Sequence, residues 1–284
     1  MADVLVLTDS AASLPEDTWA QLPIDVVPLT IVVDDVPVAD GTISPDDIIR
    51  RAHAEPITTA GVSPGAFVER IAQEPADRPI VLATVSAKMS ATHSAAVIAA
   101  AQFAPGRVRV VDTGTAAGAQ GLVVLAAARH AAAGASADEV VAQAVTVASR
   151  VHLVASLRSL EHLARSGRVP GVAAWAGTNL GLRAVFEFSG GSVIARRPAF
   201  SDAAALARMV ERCRRDKPGD AVLHGAVLHA QAAARAHELA CLVTKHLEPA
   251  ELFVTTFTSV MTLHTGPGLV GLAWWWEPSD SSAD

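Results

Sequence analysis

Only two cysteines, Cys213 and Cys241, occur in the 284 residues. They cannot build a disulfide framework, which fits a reducing compartment. Long hydrophobic runs are missing too, although 51% of the residues are hydrophobic and the mean hydropathy is +0.34. The apolar content is largely alanine and valine. The longest weakly polar stretch, "GTAAGAQGLVVLAAA" before Arg129, is too short for a spanning helix and is interrupted by glycine and glutamine. No membrane insertion is expected. Basic residues are not in excess either: 22 Lys and Arg stand against 29 Asp and Glu, a formal charge of −7. A nucleic-acid surface needs a basic face, so nucleic acid is not an expected partner. The opening "MADVLVLTDS" lacks a basic n-region and carries Asp3, so no signal peptide is expected and the chain reads as cytoplasmic.

Several catalytic signatures are also incomplete. "LHTGPGLVG" contains a literal G-x-G-x-x-G at Gly266, Gly268 and Gly271, but only residues 272–284 follow it. A dinucleotide turn needs a following helix, a further strand and an acidic ribose ligand about 20 residues on, for which there is no room. "LTDSAASLP" begins like a phosphatase loop, but Ala11 stands where the second aspartate belongs, and a structural turn is the simpler reading. "HELAC" (237–241) imitates a zincin helix without a third ligand, so no metal is expected. His224 and His229, five apart in an extended run, face opposite sides and cannot chelate together. Ser90, His264 and Asp9 or Asp112 would supply a Ser–His–acid hydrolase or transferase, but "MSATH" lacks the glycines of a nucleophile elbow.

What is present is an alternation of strands and helices. Apolar runs at 4–8, 25–33, 80–85 and 108–113 read as strands. Helices are expected between them, two opening with Ser-Pro at Ser44-Pro45 and Ser63-Pro64. This predicts a mostly parallel, three-layer α/β domain over 1–152. The rest, 153–284, mixes helices with a hairpin around Gly190-Gly191 and reads as α+β. "VLATVSAKMSATHSA" (81–95) is the strongest local signal: a buried strand, a hydroxyl-rich loop, then a helix opening at Ser90. Ser90 and Thr92 suit an anion cradle at a strand's carboxyl end, and equally suit ordinary capping.

Seven segments together carry a resemblance: "VLVLTDSAASLP", "VVPLTIVVDD", "TAGVSPGAF", "VSAKMSATHSA", "VRVVDTGTAAGAQG", "LEHLARSGRV" and "LHTGPGLVG". In order and spacing the chain resembles the DegV family of bacterial fatty-acid-binding proteins, some of which are acyl-carrying subunits of a fatty acid kinase. The resemblance spans essentially the whole chain. It implies a two-domain fold with a long-chain fatty acid between the domains, no cofactor and no catalytic residue. The family's carboxylate site is similar to Thr59 and Ala60, to Ser90, Ala91 and Thr92, and to His264. Ala60 stands where the family has serine, Ala91 where it has glycine, and Ser166 replaces one glycine of a pair. Arg183 and Ala184 stand where lysine and proline are common.

The implied chemistry is coherent. A buried carboxylate needs hydroxyls, helix N–H groups and an imidazole as donors. About 14 methylenes leaving water at roughly 0.8 kcal/mol each give on the order of 11 kcal/mol before ordering costs. No Walker A sequence is present, so phosphorylation of a bound acid would come from a separate kinase. Arg168, after a predicted helix, is a candidate docking residue for it, or a solvated arginine favoured by the helix dipole.

Overall fold

The computed structural model describes residues 3–52, 54–168, 181–189 and 192–279. The chain begins β1 (Leu5–Asp9), β2 (Ile24–Val27), β3 (Thr30–Val33), β4 (Val36–Ala39), α1 (Pro45–Ala52), β5 (Ile57–Ala60) and α2 (Pro64–Ala72). It continues β6 (Ile80–Thr84), α3 (Thr92–Ala100), β7 (Val108–Asp112), α4 (Ala117–Ala132), α5 (Ala137–Arg150), β8 (His152–Leu157) and α6 (Glu161–Ser166). Then come β9 (Arg183–Ser189), β10 (Ser192–Ala199), α7 (Asp202–Arg215), β11 (Val222–His229), α8 (Ala233–Leu247), β12 (Glu251–Thr256), α9 (Ser259–Thr265) and β13 (Val270–Glu277).

Among the described residues the strands form three sheets. A parallel sheet has the order β2-β1-β6-β7, a mixed sheet the order β10-β9-β8-β13-β11-β12, and a small antiparallel sheet the order β4-β3-β5. β1 and β6 are buried at every position, as their unbroken apolar sequences predict for strands covered on both faces. The extended run 25–33 is divided at Pro28-Leu29, and its halves join different sheets. β9 and β10 pair antiparallel as expected, although the Gly190-Gly191 turn lies outside the described residues.

α2 and α3 pack on one face of the parallel sheet, with α4 and α5 on the other. The same α4 and α5 also meet β13 of the mixed sheet, whose opposite face carries α7 and α8. This shared middle layer explains the alanine content. A helix pressed between two sheets has no polar face, and α4 buries Ala119, Ala127, Ala128 and Ala131 around its girth. At Gly118 a Cβ would fall 2.9 Å from the Cβ of Ala226, so glycine sets how closely α4 approaches β11. One apolar core runs from Val6 and Val81 through Val123 and Val147 to Leu153, Ala226 and Trp275.

α9 and β13 were not foreseen in the sequence. "VGLAWWWE" is the last strand, yet it lies inside the mixed sheet between β8 and β11 and is buried up to Trp276. Its tryptophans alternate by strand period: Trp275 faces the middle-layer core, Trp274 and Trp276 the outer one. His152 stacks on Trp274 and His224 on Trp275, with ring centroids 5.2 and 4.9 Å apart.

Candidate binding site

In parallel sheets ligands collect beyond the carboxyl ends of the strands, where loops leave the sheet and helices begin. A cavity lies there, with about 840 Å³ of free space including its open mouth. Its floor comes from residues just past β1, β6 and β7: Ala11, Val85, Ala116 and Ala117. Its far wall belongs to the mixed sheet, with Leu153 and Ala155 of β8 and Phe186 and Phe188 of β9. Register explains that wall. Leu153 pairs with Phe188 and Ala155 with Phe186, so these four side chains share one face of the sheet. α9 covers the space with Val260, Met261, His264 and Thr265.

Polar groups gather at one end. Thr59 ends β5, Ser90 precedes α3, and His264 sits in the last turn of α9; all three line the cavity. His264 Nε2 and Thr59 Oγ1 are 2.9 Å apart, which joins chain segments 205 residues distant. Ser90 Oγ lies 2.8 Å from Thr92 Oγ1 and accepts the Thr92 N–H at 3.2 Å. Burial, and secondarily the charge of Arg168, lower the His264 pKa to about 4, so its imidazole is neutral at pH 7. A neutral ring offers one N–H and one acceptor nitrogen.

Of the residues singled out in the sequence, Thr59, Ala60, Ser90, His264 and Arg168 line the cavity. Ala91 and Thr92 stand outside its wall: Ala91 is exposed, while buried Thr92 accepts the Val62 N–H at 3.3 Å and supports Ser90 from behind. Gly61 was missed. It lines the cavity, and a Cβ there would fall 2.6 Å from Thr92 Oγ1 and 3.1 Å from Ser90 Oγ. The glycine of "TAGVSP" lets the strand end lie against the α3 hydroxyls. Arg168 follows the left-handed Gly167 that ends α6, and its exposed side chain stands at the cavity mouth.

The glycine turn has the opposite order to a dinucleotide motif, since helix α9 precedes it and strand β13 follows. Gly266, at φ +76°, ends α9 against α6; a Cβ there would lie 2.7 Å from the ring of His162. The turn thereby fixes the helix that carries His264.

The hydrolase residues do not connect. Ser90 is paired with Thr92 and His264 with Thr59, while Asp9 and Asp112 each accept two backbone N–H groups. In "HELAC", exposed Cys241 Sγ lies 3.7 Å from His237 Nε2, and no cluster of metal-ligating side chains forms among the described residues. His224 bonds Glu251 and Glu277, and His229 bonds Thr256, so both hold strands together. Arg183 pairs with Asp202 at the start of α7. Among the described residues no helix is long and apolar enough to cross a membrane.

Comparison with known proteins identifies the family and the fold. Residues 3–277 match the profile of the DegV family, described as uncharacterised proteins. The chain belongs to the DegV family. A DegV domain-containing protein of Streptomyces coelicolor is 37% identical over 279 residues, covering 95% of this chain and 97% of that one. The fold is similar to a DegV family protein of Thermus thermophilus described as fatty-acid binding, with TM-score 0.88, 30% identity and coverage of 97% and 100%. It is also similar to a DegV lipid-binding protein of Thermotoga maritima, with TM-score 0.84, 26% identity and coverage of 96% and 98%. DegV relatives of this fold thus bind fatty acids.

Proposed function

We propose that this DegV chain binds a long-chain fatty acid, with the acyl chain in the cavity and the carboxylate at Thr59, Ser90 and His264. The observation that carries the reading is one cavity lined mainly by apolar side chains, in which Thr59, Ser90 and His264 come together where β5, the start of α3 and α9 meet. Hydroxyls and an imidazole are charge-assisted donors to a carboxylate, and Ala60, at the end of β5, lines the cavity beside them. An anion beside His264 favours its protonated form, which then donates from both nitrogens. The apolar body supplies affinity and the polar end sets orientation.

In this reading the chain is a non-catalytic cytoplasmic carrier without a prosthetic group. The lipid lies between an N-terminal unit, 1–152, and a C-terminal unit, 153–284. The carboxylate end opens toward Arg168, where a separate fatty acid kinase would approach. Native mass spectrometry of the purified protein tests the first step. A bound mass matching a long-chain acid is expected; a clean apoprotein that hydrolyses an acyl ester overturns the reading in favour of a Ser90–His264 enzyme. For the kinase step, Arg168→Ala should keep its lipid and lose acyl-phosphate formation with kinase and ATP. Loss of lipid instead assigns Arg168 to the binding site.

A further inference from the structure

Helix α9 carries His264, yet with seven residues it is too short to be stable alone, so its position is set by what it touches. Two contacts hold its ends. The first-turn N–H of buried Val260, which has no partner within the helix, donates to Asp40 Oδ1 at 3.1 Å. One turn later, His264 Nε2 meets Thr59 Oγ1 at 2.9 Å. Beside the first contact the Ser259 hydroxyl donates to the Ile43 carbonyl, and α1 packs on α9. Both anchors belong to the small antiparallel sheet. Asp40 directly follows β4 and Thr59 lies on β5, on either side of β3. Thr30 of β3 pairs with Ala39 on one side and with Ala60 on the other, so the two anchors stand at the same end of that sheet.

Asp40 is itself fixed to the cavity wall. Its N–H donates to the Leu29 carbonyl at 2.8 Å, and its Oδ2 accepts the Ser10 hydroxyl at 2.7 Å. Ser10 Oγ in turn accepts the Leu29 N–H at 3.0 Å. Leu29 and Val260 line the cavity, as does Ala11 beside Ser10, whereas Asp40 does not. One carboxyl group thus gathers three pieces of cavity wall without reaching the ligand space.

We propose that Asp40 is a positioning residue for fatty-acid binding: it holds the first turn of α9 on the small sheet and thereby places His264 beside Thr59 for the lipid carboxylate. This rests on the fatty-acid reading above. One helical turn separates Val260 from His264, so a shift at the start of α9 is carried to the ring. Without the Asp40 acceptor the Val260 N–H is left buried and unpaired, and α9 has to move or fray to satisfy it. Hydrogen bonds weaken steeply with distance and angle, so a displaced His264 holds the carboxylate less well. A bond that served the fold alone would lower stability and leave the affinity of the folded protein to the ligand contacts.

The test is a double-mutant cycle, read by calorimetric titration of delipidated protein with palmitate. Asp40→Ala should weaken binding by on the order of threefold to tenfold in the parent. In a His264→Ala background the same change should cost less than about twofold, because Asp40 acts through that ring. Equal losses in both backgrounds, or no loss in either, overturn the positioning role and leave the fatty-acid reading standing. A second measurement needs no substitution at position 40. Coupling through α9 is reciprocal, so saturating palmitate should slow hydrogen exchange of the Val260 amide more in the parent than in His264→Ala. Equal slowing overturns the proposal, and this holds even where Asp40→Ala does not fold. If the parent binds no palmitate, it is the fatty-acid reading that fails. The positioning is then judged in ligand-free protein, where Asp40→Ala should shift the 15N resonances of the His264 ring; unshifted resonances overturn it.

Discussion

The two sides of the cavity are built on different principles. The parallel sheet and its loops bring Ser90 and the buried Asp9 to the strand ends, and β5 of the small sheet adds Thr59, so this side carries hydrogen-bonding chemistry. The mixed sheet presents Leu153, Ala155, Phe186 and Phe188 from one face of adjacent strands, so the other side is apolar. His264 bridges them: it sits on α9, next to the mixed sheet's last strand, and bonds Thr59 of the small sheet. Orientation should therefore fail through one side and stability through the other.

The largest effect belongs to the mixed sheet. Trp274 is fully buried in its centre, stacked on His152, with Arg212 5.9 Å from its ring. Trp274→Ala should lower unfolding stability by about 3–5 kcal/mol in denaturant titration. A loss under about 1 kcal/mol would contradict the central place given to β13. The polar end should behave differently. Ser90→Ala and His264→Ala each remove a donor to the carboxylate and should weaken fatty-acid binding by about 1.5–3 kcal/mol, with melting temperature little changed. Unchanged binding in both would place the carboxylate elsewhere.

His264 also gives the polar end a pH signature. Its folded pKa of about 4 lies below the ordinary 6.5, so between these values the unfolded chain holds more protons. Stability is therefore lost as pH falls from about 6.5 to 4, by up to about 3 kcal/mol at this site. The ligand-free parent should show that loss relative to His264→Gln, and bound fatty acid should reduce it. A parent and variant with parallel pH profiles would show that the ring is not desolvated. The smallest effect is expected at Ala60, beside Thr59. Ala60→Ser should tighten binding by about 0.5–1.5 kcal/mol by restoring one hydroxyl. A clear weakening would mean that position 60 faces away from the ligand.

The same contrast governs what could be read from the sequence. β1, β6, α2 and α5 announce themselves through continuous apolar runs and Ser-capped helix starts, because those signals are local. Ser90 and His264 were legible, the former from its place after a buried strand and the latter through family resemblance. β13 was not. "LAWWWE" follows a glycine-rich turn near the end of the chain, and nothing local says that it inserts between β8 and β11. α9 is only seven residues long and lacks an extended apolar period. The Thr59–His264 bond, the Gly61 approach to Thr92 and the Val85–Asp9 bond join distant segments, so only the folded chain reveals them.

The central claim is an orientation: carboxylate at the hydroxyls and imidazole, acyl chain against the mixed sheet. Nuclear magnetic resonance on protein loaded with fatty acid carrying 13C at the carboxyl carbon and at the terminal methyl reads it directly. The labelled carboxyl shift should respond to Ser90→Ala and His264→Ala, while the methyl should show magnetisation transfer to apolar side chains such as Phe186 and Leu153. A carboxyl signal indifferent to both substitutions, or a methyl group lying beside His264, would contradict it.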